Sequence, residues 1–193
     1  MRIPPRAWHT PPIRTALLLL LVVATLSINF PLLLPILATQ RLGAGSQIYG
    51  LISACFGVGA LVGALLTAAM GRSTWPLLLG SMGGFGLALL LLAPQQSLPA
   101  VIAMLIVTGA GLALYTATSN ALVQFSTPDH LQGRVLGLYS YIFIGTAVPG
   151  ALLTGWLSQV GGATLALVVA GAAAVLMAGI GLAWYLAYRR TAR

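Results

Sequence analysis

Six apolar stretches, each twenty residues or longer, dominate this chain, and apart from Arg134 at the edge of the fifth none holds a charged side chain. They run approximately over Thr15–Ala38, Gln47–Met70, Thr74–Ala93, Leu98–Gln124, Gly133–Gln159 and Ala163–Tyr188. A helix needs ~20 apolar residues to cross a bilayer. The pattern therefore predicts an all-α membrane protein of six transmembrane helices. The composition agrees: 5% of residues are charged, against roughly 25% in a soluble domain. The first stretch is longer than the ~7–15 residues of a secretory signal's apolar region, and it reads as an uncleaved span. Short turns separate the stretches, among them Gly43-Ala44-Gly45-Ser46, Gly71-Arg72-Ser73, Pro94-Gln95-Gln96-Ser97 and Gly161-Gly162. Ser97 with Pro99 marks a helix start.

The net charge of +8 looks at first like a nucleic-acid signature. Its distribution says otherwise. Arg2, Arg6 and Arg14 precede the first span, Arg72 follows the second, Arg134 follows the fourth, and Arg189, Arg190 and Arg193 follow the sixth. After six crossings these eight share one side, and only Arg41 lies on the other. Cytoplasmic loops carry the excess of Lys and Arg. Both termini are thus expected in the cytoplasm of a multi-pass protein of the cell (cytoplasmic) membrane, with no nucleic-acid partner.

The chain also repeats itself. Gly50-Leu51, Ser53 and Phe56 recur as Gly137-Leu138, Ser140 and Phe143. Gly63-Ala64-Leu65-Leu66-Thr67 recurs as Gly150-Ala151-Leu152-Leu153-Thr154. Both matches lie 87 residues apart (50 to 137, 63 to 150). A unit with an odd number of spans must invert its copy across the membrane, so the expectation is a 3+3 inverted repeat, an arrangement typical of transporters. The organisation follows: a cytoplasmic N-terminal segment over 1–14, a first three-helix repeat over 15–93, a second over 94–188, and a basic cytoplasmic tail over 189–193.

Polar side chains inside lipid are costly and mark protein or water contact. Helix one carries Asn29 between apolar residues and beside Pro31 and Pro35, which predict a kink. Helix two carries Tyr49 and Ser53, and helix five carries Tyr139, Ser140, Tyr141 and Thr146. Helix four is richest, and Thr108, Tyr115 and Ser119 share one of its faces, followed by Asn120. Candidate residues for a substrate cavity are Asn29, Tyr49, Ser53, Thr108, Tyr115, Ser119, Asn120, Tyr139 and Tyr141. Helices three and six are poorest in polar residues and read as lipid-facing supports. Cys55 reads as a small packing residue. In the loop after helix four, Asp129 is the chain's only acid. It pairs either locally with Arg134 or across the repeat with Arg72, so Arg72, Asp129, Gly133 and Arg134 form a candidate cytoplasmic gate.

Three segments carry a family resemblance: Asn29-Phe30-Pro31-Leu32-Leu33-Leu34-Pro35, Tyr49-Gly50-Leu51 through Gly63-Ala64-Leu65, and Pro128 through Tyr139. The chain resembles the C-terminal six-helix half of a major facilitator superfamily transporter, nearest the enterobactin-exporter and macrolide-efflux branch. Pro128-Asp129-His130-Leu131-Gln132-Gly133-Arg134-Val135 is the most specific segment. Gln132 stands where the family pattern has arginine, and Gly71-Arg72 resembles a loop motif whose usual aspartate is missing. The resemblance implies efflux of a lipophilic small molecule, such as a drug or siderophore, by alternating access. It also implies a second six-helix half, from a separate chain, a missing N-terminal half or a second copy. The alternative is a non-transporting integral membrane subunit, or a truncated remnant, that packs against a partner. Nothing suggests an enzyme, a cofactor or a metal: His9 and His130 lie outside the spans, and no serine has an evident base. Proton coupling through buried acids is not expected, because no span holds one.

Overall fold

The computed structural model describes residues 30–42, 46–71, 73–126 and 144–191, with single positions at 25, 133, 137, 140 and 141. Among them every regular element is helical. In chain order these are α1 (Phe30–Leu42), α2 (Ser46–Met70), α3 (Trp75–Leu92), α4 (Leu98–Ser126) and α5 (Ala147–Thr191). Four of the five, all but α1, are long and apolar enough to cross a membrane.

As a straight rod, α5 would measure about 68 Å at 1.5 Å per residue, twice a bilayer core of about 30 Å. It is not straight. Gly161 (φ −134°, ψ 17°) and Gly162 (φ 67°, ψ −175°) leave helical geometry and divide it into segments 147–160 and 163–191. The torsions of Gly162 fall in a region essentially closed to residues with a Cβ. The turn read at Gly161-Gly162 is therefore present as a break in the helix.

Local chemistry sets the other ends. Thr74 caps α3, its hydroxyl accepting from the Leu77 amide at 3.4 Å, with Pro76 in the first turn where no amide hydrogen is needed. At its far end the Gln95 side-chain amide donates to the Leu91 carbonyl at 3.1 Å. The Ser97 carbonyl accepts the first bond of α4 from Val101 at 3.0 Å, as the Ser97–Pro99 signal predicts. Two helices outrun their apolar stretches: α1 continues to Leu42 and α4 to Ser126. Hydropathy marks where lipid ends, and a helix with polar side chains continues past that plane. Pro35 lies inside α1.

The helices meet backbone to backbone. A Cβ on Gly59 would strike the Ile106 carbonyl, one on Gly63 the Ala110 carbonyl, and one on Gly109 the Phe56 carbonyl, so α2 and α4 touch without intervening side chains. Between α3 and α5, a Cβ on Gly86 would lie 2.8 Å from the Gly171 oxygen, and the reverse holds as well. Such small-residue contacts replace the hydrophobic drive that lipid does not supply. Among the described residues, a Cβ on Gly57, Gly84 or Gly145 would meet no atom within 4 Å. Phe30 links three helices, its ring 5.2 Å from that of Phe56 and 6.5 Å from that of Phe85 in an edge-on contact. Leu37, Ile52, Leu89, Leu105 and Leu167 close the core around them.

One expectation is reversed. Half of α3 is buried by protein, against 17% of the best apolar stretch of α2. Few polar residues did not make helix three an outer support. Its glycines and Ala88 give it two tight neighbours, α4 and α5, and burial follows neighbours, not polarity.

Two substitutions test this packing. Gly63→Leu should destabilise the folded protein by about 1–3 kcal/mol or more, since it forces backbones apart, and Gly162→Ala by about 1–3 kcal/mol through torsional strain. Gly57→Ala should be close to neutral. Thermal unfolding in detergent would rank the three.

Candidate functional site

Helix α4 carries the polar row on which a site would be built. Thr108, Tyr115 and Ser119 do share a face, and all three are buried. That face is closed by protein: Tyr115 packs with Leu78, Leu79 and Met82 of α3 and with Ala178 of α5. The Thr108 hydroxyl donates to the Met104 carbonyl of its own helix at 2.7 Å. Thr116 does the same toward Leu112 at 2.9 Å. Hydroxyls that bond back within their helix meet their own needs in lipid. Asn120 is exposed, and its side-chain oxygen accepts from the Gln124 side-chain amide at 3.0 Å, again within one helix.

The remaining candidates fall into two groups. Tyr49 and Tyr141 are exposed, at 43% and 78%, and Ser53 is half-buried on α2. These do not join the buried row. Asn29, Tyr139, Arg72, Asp129 and Arg134 lie outside the described residues, and Gly133 is helical and exposed. The gate of Arg72, Asp129, Gly133 and Arg134 therefore has no geometry to report.

Two hydroxyls stand out instead. Among the described residues, Ser53 Oγ and Thr118 Oγ1 are buried side-chain oxygens without a hydrogen-bond partner. Thr118 is fully buried. An unsatisfied buried hydroxyl costs about 1–3 kcal/mol. Thr118 was visible as one polar residue among several in helix four, but nothing in the sequence set it apart. Thr154 and Ser158 are not among the cavity candidates, yet both are buried, with Ser158 Oγ donating to the Thr154 carbonyl at 2.7 Å. For Thr154 a signal was available: it matches Thr67 at the 87-residue offset, and the Thr67 hydroxyl donates to the Gly63 carbonyl at 2.9 Å.

A groove of about 380 Å³ opens beside this row, between the end of α2, the first half of α3 and the middle of α4. Leu66, Pro76, Leu77, Val107, Ala110 and Leu114 line it over glycines. Its one hydroxyl, Ser81, donates to the Leu78 carbonyl at 2.9 Å. None of the sequence candidates borders it. Apolar lining in a membrane helix is indistinguishable from a lipid-facing surface until the helices are placed side by side.

Chemically, these surfaces suit reversible holding of an apolar molecule. Their hydroxyls are mostly engaged with backbone carbonyls. The chain matches the model of the transmembrane secretion effector family over residues 7–191. It belongs to that family. The secretion effectors are transporters of major facilitator type, so this is a multi-pass membrane protein of a transporter family, a family not enzymatic in general. No curated protein and no solved structure matches it.

Thr118→Val tests whether the orphan hydroxyl is a flaw or a reserve. The near-isosteric change should raise the unfolding temperature, because it removes a buried group that lacks a partner. Lost transport alongside raised stability would mark Thr118 as held ready for a ligand.

Proposed function

We propose that this chain exports a lipophilic small molecule by alternating access, as a C-terminal six-helix half of the enterobactin-exporter and macrolide-efflux type. In this reading it forms a 3+3 inverted repeat in the cell membrane, with both termini cytoplasmic. The observation that carries it is the α2–α4 contact. Gly59, Gly63 and Gly109 press backbone on backbone, within a chain of a transporter family. A contact without interlocking side chains has few rotamers to rearrange when helices shift.

The substrate class follows from what lines the open surfaces. Tyr49 and Tyr141 are exposed aromatic groups with one polar atom each, and the sole acid is Asp129, outside the spans. Aromatic and aliphatic walls with few polar groups hold bulky apolar ligands. A charged substrate would find no counter-ion there. Helix α2 leaves Val58, Leu61, Val62 and Leu65 outside. Export then has a second six-helix body working against this one, supplied by another chain, by an N-terminal half or by a second copy. The competing reading is a subunit that packs against a partner without moving anything.

Reconstitution decides between them. Proteoliposomes containing the chain with a six-helix partner should release a preloaded lipophilic dye faster than empty vesicles. The Gly63→Leu variant should slow that release at least tenfold at equal protein incorporation. If neither the chain alone nor the pair moves any dye or siderophore, the exporter reading fails and the packing subunit stands.

Orientation has its own check. A reporter active only in the cytoplasm should work when fused after Arg193. Activity of a periplasmic reporter at that position would invert the topology.

A further inference from the structure

Hydroxyls in these helices share one habit. Thr67 donates to the Gly63 carbonyl, Thr108 to that of Met104, Thr116 to that of Leu112 and Ser158 to that of Thr154, each four residues back. Thr118 breaks the habit: the residue is wholly buried and its hydroxyl has no partner. Ser53 shares that lack but is only half-buried. The acceptor that Thr118 forgoes stands close by. Threonine in a helix divides between two χ1 rotamers, because its hydroxyl can reach a carbonyl three or four residues back. For Thr118 the carbonyl four back belongs to Leu114, and helical side chains lean over that preceding turn. One rotation about χ1 therefore separates an idle hydroxyl from a bonded one.

The turn from Leu114 to Thr118 also marks a mechanical boundary. Before it, α4 is held hard against α2, backbone on backbone, as far as Ala110. After it, the end of α4 is loosely held: Asn120, Gln124 and Phe125 are exposed. Beside it lies open space. Leu114 lines the groove of about 380 Å³, and Gly80 and Gly84 line it opposite. A Cβ built on either glycine would meet no atom within 4 Å. Threonine back-bonding often bends a helix, and here a bend has room.

We propose that Thr118 is a two-position switch in α4. In the conformation seen here its hydroxyl is idle. In the second, the hydroxyl donates to the Leu114 carbonyl, α4 bends at that turn, and the segment beyond it leans into the groove beside Gly80. The hydrogen bond gained offsets the packing given up, so the two conformations lie close in free energy. The groove serves as clearance for the bend, and Gly80 keeps it clear. The switch needs no ligand and does not rest on transport.

Spin labels on Leu91→Cys and Phe125→Cys, in a chain carrying Cys55→Ser, test it by pulsed electron paramagnetic resonance with no ligand added. Both positions are exposed, near the ends of α3 and α4. The labelled chain should show two distances. Thr118→Val, which keeps the shape and removes the hydroxyl, should lower the second population about fivefold, equal to one hydrogen bond of about 1 kcal/mol. Thr118→Ser keeps the hydroxyl and should retain both distances. Gly80→Leu leaves Thr118 intact but fills the clearance, and should deplete the second population as well. Leu87→Ala, on an exposed part of α3 outside the groove, should change neither. If Thr118→Val does not fold, Thr118→Ala removes the same hydroxyl and is read in its place. A single distance in the labelled chain would overturn the proposal. So would a second population that survives loss of the hydroxyl, or filling of the groove, in a folded variant. A second distance seen only after a lipophilic dye is added would also overturn it and assign the motion to the dye. Distances are read without transport, so failure here and failure of the exporter reading show up separately.

Discussion

Backbone contact between α2 and α4 is the constraint on which the rest of this protein depends. In water, apolar helix faces are driven together by their removal from solvent. In lipid the surroundings are as apolar as leucine, and that drive is absent. Gly59, Gly63 and Gly109 replace it with dispersion contact at the shortest distance two helices can reach. The placement of α4 follows, and its neighbours follow from α4: Gly111 lies against Phe85 of α3, and Gly86 of α3 against Gly171 of α5. Each step uses glycine where a side chain would hold the backbones apart.

That packing decides what the polar residues do. The row of Thr108, Tyr115 and Ser119 was a plausible wall for a cavity, and in the fold all three are buried, Tyr115 against α3 and α5. Its threonine bonds back to its own helix, so polarity here serves the helix interior. The accessible surfaces are apolar or aromatic instead. The described membrane-crossing stretches offer no charged site.

Much of the architecture was legible in advance. Apolar length gave the boundaries of α2 and α3 to within a residue, because a twenty-residue run without charge has few other places to go. The cap at Thr74, the start after Ser97 and the break at Gly161-Gly162 were readable from turn chemistry. Membership of a transporter family was readable from the repeat and from the loop that follows helix four. The site was far less legible. Thr118 looks like its neighbours in sequence, and the residues around the groove look like any lipid-facing leucine or glycine. The role given to helix three was wrong because polarity was used to infer burial, whereas its small residues were the better guide.

Sequence alone determined that this chain is helical and that it lies in a membrane. These are local properties: each depends on the transfer of a residue or a peptide group between water and lipid, and needs no partner. Only the tertiary structure decided which glycines are contacts and which are empty space. Gly59 and Gly57 are two residues apart on one helix, yet one presses on the Ile106 carbonyl and the other touches nothing. A glycine has no side chain to signal its direction, so its meaning comes entirely from what the fold places opposite it.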